Sequence, residues 1–173
     1  VQQQFFPASD RPELLVDINL SQNSSVAQTR TVIDRLEKGL AGDPDIARWS
    51  TYIGQGAIRF YLPLDAQLQN PFFGQLVIVA KDLEARDRLA ERLEARLQED
   101  FLGINGYVQP LEMGPPVGRP LQYRVSGPEV DQVREQALAL AGVLDADPAE
   151  GQIIFDWNEP GKVLRVEIAQ DKA

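Results

Sequence analysis

Apolar residues step by three and four along this chain, and strand-like runs separate the places where they do so. Val26, Thr29, Ile33, Leu36 and Leu40 share one helix face. So do Leu89, Leu93 and Leu97, and again Val130, Val133, Ala137, Leu140 and Leu144. Each such stripe needs an apolar surface to cover. Candidate strands supply it at Glu13–Leu20, Ala47–Ile53, Gly74–Lys81, Tyr107–Glu112, Leu121–Val125, Gln152–Trp157 and Val163–Ile168. The order is βαβ, βαβ, then βαβ with one further strand. The first six elements match a split βαβ, ferredoxin-like pattern: an antiparallel sheet with two helices on one face. The expected class is therefore α+β. A doubly wound parallel sheet is disfavoured. Three helices would serve seven strands, and Asn158-Glu159-Pro160-Gly161 reads as a hairpin turn between the last two.

Helix ends are marked as well. Ser25 with Gln28 predicts a capping box, Gly42-Asp43-Pro44 ends that helix, Asp82 predicts an N-cap, and Ser126-Gly127-Pro128-Glu129 predicts a cap followed by an early proline. Strand, serine cap, helix, glycine and Asp-Pro occur around Leu14–Ile46. They recur about a hundred residues later around Leu121–Ala149, with Asp147-Pro148 in place of Asp43-Pro44. The proline- and glycine-rich stretch Glu112–Pro120 divides the two copies. Residues 1–116 form the first expected unit and residues 117–173 a second, incomplete βαββ unit. Another helix and strand would complete it, so more of the same polypeptide is expected after Ala173.

With 173 residues, 43% of them hydrophobic, the chain is long enough for one ordinary domain or two small ones. Its net charge of −9 argues against a nucleic-acid partner. The nearest basic group, Arg86, Arg88, Arg92 and Arg96, is interleaved with Asp87, Glu91, Glu94 and Glu99, which reads as a solvated helix face. No cysteine or histidine is present. That removes thiol nucleophiles, Ser-His-Asp triads, imidazole acid-base chemistry and zinc sites. No metal or cofactor is expected, and no window approaches the ~20 apolar residues of a membrane span. The carboxylate pairs Asp10/Glu13 and Asp145/Asp147 read as exposed turn residues rather than acid-base dyads.

The stretch IGQGAIRFYLPLDAQLQNPFFGQ, Ile53 to Gln75, is the least ordinary part. A phosphate cradle at Gly54-Gln55-Gly56 would need a helix after it, and a strand-like run follows instead. One reading is an extended hairpin with Ile58, Phe60 and Leu62 on the core. The other is a mobile binding loop. Gly54 and Gly56 would let it rearrange, Phe60, Tyr61, Phe72 and Phe73 would offer aromatic faces, and Arg59 one cation. A connection of about twenty residues within a small domain is usually functional. Trp49 is expected in core or interface packing, and Trp157 either caps the core or faces a channel.

Three further stretches bear on that choice: QQFFPASDRPELLVDINLSQNSSVAQT (Gln3–Thr29), GDPDIARWSTYIGQG (Gly42–Gly56) and FFGQLVIVAKD (Phe72–Asp82). With VEIAQDKA (Val166–Ala173), they resemble in order and spacing the second large periplasmic loop of resistance–nodulation–division (RND) efflux transporters, hydrophobe/amphiphile branch. The resemblance spans essentially the whole chain. It implies that residues 1–116 are the first C-terminal porter subdomain and that 117–173 open the second. It further implies a switch loop at Gly54–Gly74, comprising Gly54, Gln55, Gly56, Ala57, Ile58, Arg59, Phe60, Tyr61, Phe72, Phe73 and Gly74. Asp17, Ser50 and Val77 would line the pockets. Where family members often carry phenylalanines, this chain has Ser50, Gln55 and Ala57. The implied setting is the periplasmic part of a proton-driven inner-membrane pump of a Gram-negative bacterium. Its substrates would be hydrophobic or amphiphilic small molecules. Its partners would be the other porter subdomains, two further copies in a homotrimer, a periplasmic adaptor and an outer-membrane channel. It would not be an enzyme. The alternative is a regulatory ferredoxin-like domain that binds a small polar effector. An acylphosphatase-like hydrolase is disfavoured, because Ser21–Val26 (SQNSSV) lacks the basic residue an anion loop needs.

Overall fold

The computed structural model describes residues 9–114, 119, 121–146, 153–157 and 164–168. Seven elements follow in order: β1 (Glu13–Asn19), α1 (Val26–Lys38), β2 (Ile46–Ile53), β3 (Phe73–Ala80), α2 (Leu83–Asp100), β4 (Asn105–Pro110) and α3 (Val130–Leu144). The strands form one antiparallel sheet in the order β2-β3-β1-β4, so the class is α+β with the ferredoxin-like arrangement.

Alternation along the strands sorts side chains to two faces. Leu14, Val16 and Ile18 of β1, Leu76 and Ile78 of β3 and Val108 of β4 face the helices. They pack there with Ile33, Leu36 and Leu40 from α1 and its end, and with Leu89, Leu93 and Leu97 from α2. The three- and four-residue steps of α1, from Thr29 on, and of α2 are thus the stripes that close this core; that of α3 takes no part in it. Trp49 packs against the same cluster, and its indole N–H donates to Glu37 Oε1 at 3.0 Å. Thr51 donates to the same oxygen.

The helix boundaries follow their local chemistry. The Ser25–Gln28 capping box is present in both directions. Asp82 accepts from the Ala85 amide at 2.7 Å. α3 differs from expectation: it starts after Glu129, which makes no side-chain cap, so Ser126 does not cap it and Pro128 lies outside the helix.

The arginine-rich helix carries near-neighbour ion pairs, Arg86–Asp87, Arg88–Glu84 and Arg96–Asp100, but it is not simply a solvated face. Arg86 is buried and donates to the carbonyls of Ser9 (2.6 Å) and Arg11 (3.0 Å), tying α2 to the segment before β1. Arg92 bridges to Asp43 and Asp45, and Arg88 to Asp45. Arg96 donates to the carbonyls of Arg35 and Leu36, which satisfies backbone acceptors at the end of α1. These side chains staple α2 to its neighbours rather than merely solvating it.

Of the second expected unit, the helix forms and the strands do not. Leu121–Val125 and the described parts of the two later stretches join no ladder. α3 buries no residue, and Leu164, Val166 and Ile168 are all exposed. Their alternation is a strand pattern, but a strand needs partners, and the described residues of these stretches pair with neither edge of the sheet, β2 or β4. Several expectations fall outside the described residues. They are the Phe5-Phe6-Pro7 motif, most of the boundary between the copies, Asp147-Pro148, the Asn158–Gly161 turn and the Gln170–Ala173 end.

Candidate functional site

The connection from β2 to β3 does not extend the hairpin. After Ile53 it leaves the ladder, crosses the face opposite the helices, and rejoins at Phe73. Its two ends are fastened together: the Gly54 amide donates to Phe73 O at 2.8 Å, and the Asn70 amide donates to Gly54 O at 2.9 Å. Gly54 has φ +75, a backbone state that disfavours any side chain, and this turns the chain out of the sheet. At Gly56 an added Cβ would stand 2.8 Å from Gln67 Cβ, so two limbs of the strap cross where only glycine fits.

The strap grips the sheet through a small second cluster. Leu64 is buried against Leu15 and Leu111, with Tyr61 and Val77 at the margin. The Tyr61 hydroxyl accepts from the Glu112 amide at 3.3 Å, and burial raises its pKa. The Arg11 guanidinium, paired with Glu13 at 2.6 Å, lies 5.8 Å from the Phe60 ring centroid and 6.0 Å from that of Tyr61.

Beneath the strap a cleft of about 230 Å³ opens onto the sheet, lined from the strap by Tyr61, Leu64, Asp65 and Gln67. The sheet contributes Asp17, Gln75, Tyr107 and Gln109 to its floor, and Arg119 closes one side. The Arg119 guanidinium stacks 4.5 Å over the Tyr107 ring and donates to Asn105 Oδ1 at 3.2 Å. Its pKa is lowered by burial. The floor is organised by Gln75, whose amide is used at both ends. Nε2 donates to Asp17 Oδ1 at 2.7 Å, and Oε1 accepts from the Ala57 amide of the strap at 2.8 Å. Asp17 is pushed up to about 6. Burial is the main cause, the charge of Asp65 adds to it, and the hydrogen bond from Gln75 opposes it.

The sequence-predicted residues divide accordingly. Tyr61 and Asp17 reach the cleft, and Ala57 is buried as the strap's tether. Gly54 and Gly56 shape the strap. Gln55 and Arg59 are exposed. Ile58 and Leu62 are 78% and 84% exposed, so the reading in which they pack on the core with Phe60 is corrected; Tyr61 and Leu64 pack against the sheet instead, and Ala57 is buried. Phe73 and Gly74 are the first two residues of β3, as the strand expected from Gly74 has it for the glycine, so the loop that the resemblance implies stops short of them. Phe73 is buried, and Gly74 sits against α1, where a Cβ would meet Ile33 Cδ1 at 2.9 Å. Phe72 is half-buried, its carbonyl accepting from the Leu20 amide at 2.9 Å. Ser50 and Val77 are cross-strand neighbours on the strap's face, Ser50 in the open and Val77 against Leu64; neither lines the cleft.

Gln75, Leu64, Asp65, Tyr107 and Arg119 were not singled out from sequence. For Gln75 a signal existed. It interrupts the apolar run of β3, as Asp17 interrupts that of β1, and the register sets the two opposite each other. Among the described residues no group of acidic side chains could hold a metal ion, and no helix is long and apolar enough to cross a membrane. No family model matches the chain.

Proposed function

We propose that the chain is a porter portion of an RND-type efflux pump, in which the Gly54–Gly74 segment meets hydrophobic or amphiphilic cargo. One observation carries this reading. A glycine-shaped strap lies over the free face of a ferredoxin-like sheet, encloses a cleft, and holds Ile58, Leu62 and Leu68 out to solvent. Apolar side chains fixed on an exposed strap gain affinity when cargo or a neighbouring subdomain covers them, at roughly 25 cal/mol per Å² buried. The work of passage comes from proton-carrying membrane helices elsewhere in such a pump, acting as a population shift on this unit.

A second reading, a regulatory domain for a polar effector, is favoured by the polar floor of the cleft: Asp17, Gln75, Gln109 and Arg119. Two measurements separate them. For the porter reading, the coding sequence on either side is expected to encode apolar helices of about twenty residues. Titrating the 173-residue chain with a hydrophobic dye should give binding weaker than micromolar, since one subdomain supplies only part of a pocket. Saturable micromolar binding of an amino acid or nucleotide, with no flanking apolar helices, replaces the porter with the regulatory domain.

A further inference from the structure

Asp17 sits mid-strand on the strap's face, in register with Gln75 of β3 on one side and Tyr107 of β4 on the other. The strap roofs it: Tyr61, Leu64, Asp65 and Gln67 line the same cleft from above. The hydrogen-bonded chain from Asp17 through Gln75 to the Ala57 amide joins this carboxyl to the strap's first turn. We propose that the strap is a proton-coupled lid: a proton taken from solvent by Asp17 seats it on the sheet, and loss of that proton lifts it.

The direction follows from which influences the strap itself brings. Asp17 is raised to about 6 first by burial, to which the seated strap contributes through the residues that roof the cleft, and also by the charge of Asp65, which the strap carries. Lifting the strap rehydrates Asp17 and removes Asp65, so both influences relax. The opposing hydrogen bond from Gln75 Nε2 comes from the sheet and stays when the strap leaves. A conformation that raises an acid's pKa is the one that acid favours. Tyr61 and Tyr107 are raised by burial and stay neutral. Arg119, over the Tyr107 ring, stays cationic. Glu13, further along β1, is held below its ordinary value by Arg11, and Glu112 also lines the cleft. Were lifting to return Asp17 all the way to the ordinary 3.8, the opening equilibrium would climb up to tenfold per pH unit between about 4 and 6 and then level, a ceiling of about a hundredfold.

The test is amide hydrogen exchange by NMR on the 173-residue chain from pH 4 to 8, corrected for intrinsic rates. The Ala57 opening constant should rise toward a hundredfold between pH 4 and 6 and stay level above. It should exceed that of the central-strand amide Val16 throughout. In Asp17→Asn the Ala57 curve should be flat at its low, seated value, and in Asp65→Asn the rise should shrink. The wild-type Asp17 carboxyl carbon, followed in the same samples, should titrate with the Ala57 midpoint. That measurement needs no variant. A pH-independent Ala57, a slope that survives Asp17→Asn, an Ala57 opening equal to that of Val16, or an Asp17 midpoint near 3.8 would each overturn the lid.

Discussion

The two faces of one sheet are built on opposite terms. The helix face is covered by α1 and α2 and buries a continuous apolar cluster from every strand of the sheet. The strap face buries one small cluster, Leu15, Leu64 and Leu111, with Ala57 buried in the strap itself, and otherwise presents Asp17, Gln75 and Tyr107 to a cleft. The same four strands thus serve a closed core on one side and a wet, partly roofed surface on the other. Apolar packing that fixes the first face leaves the second free to carry a group as costly to bury as a carboxyl.

The largest expected effect tests that contrast directly. Leu76→Ala, at a fully buried position under the helices, should cost about 4 kcal/mol, and Leu64→Ala under the strap about 2 kcal/mol, in urea unfolding. Equal losses would mean that the strap is part of the core. Next comes Asp17→Asn. The native pKa lies above the unfolded one, so the ionised carboxyl weighs on the fold above about pH 6 and not below about pH 4. Wild-type stability therefore falls as pH rises through that window. The asparagine should recover on the order of 2–3 kcal/mol at pH 7 and nothing at pH 4. A gain of the same size at both pH values would trace to packing instead. The smallest effect is Ser25→Ala, which removes the cap of α1 and should cost about 1 kcal/mol. That helix also touches the strap's far end, where Thr29 Oγ1 donates to Pro71 O at 2.7 Å. A shift in the Ala57 exchange midpoint in this variant would show that the two faces are less independent than described.

Sequence legibility follows the same division. On the helix face, periodicity and caps announced nearly everything, because side chains three or four apart must share a surface wherever they go. Arg86 was the exception. It stands three residues before Leu89, on the edge of the buried stripe, and its helical phase pointed inward while its charge pointed outward. The strap face was legible only in place, from Gly54 and the aromatics after it. Its path depends on contacts across the sheet, such as Gln75 to Ala57 and Leu64 to Leu15, that no local pattern encodes. The resemblance implies a loop through Phe73 and Gly74, whereas the apolar run after them already marks a strand from Gly74 on. In the structure one is buried at the start of β3 and the other makes room for Ile33. Beyond β4, alternation in Leu164, Val166 and Ile168 shows what those residues could pair with, not that a partner is at hand.

The strap leaves and re-enters the sheet through points one hydrogen bond apart, Gly54 N to Phe73 O. Whatever is spliced between those points closes a circuit that is already fastened, and lengthening it costs only slowly in chain entropy. The segment is thus an insert whose exposed positions, such as Ile58, Leu62 and Leu68, can be rewritten while strand order and the helix-side core stay as they are. A scaffold of this kind lets recognition diverge quickly without asking the fold to be reinvented.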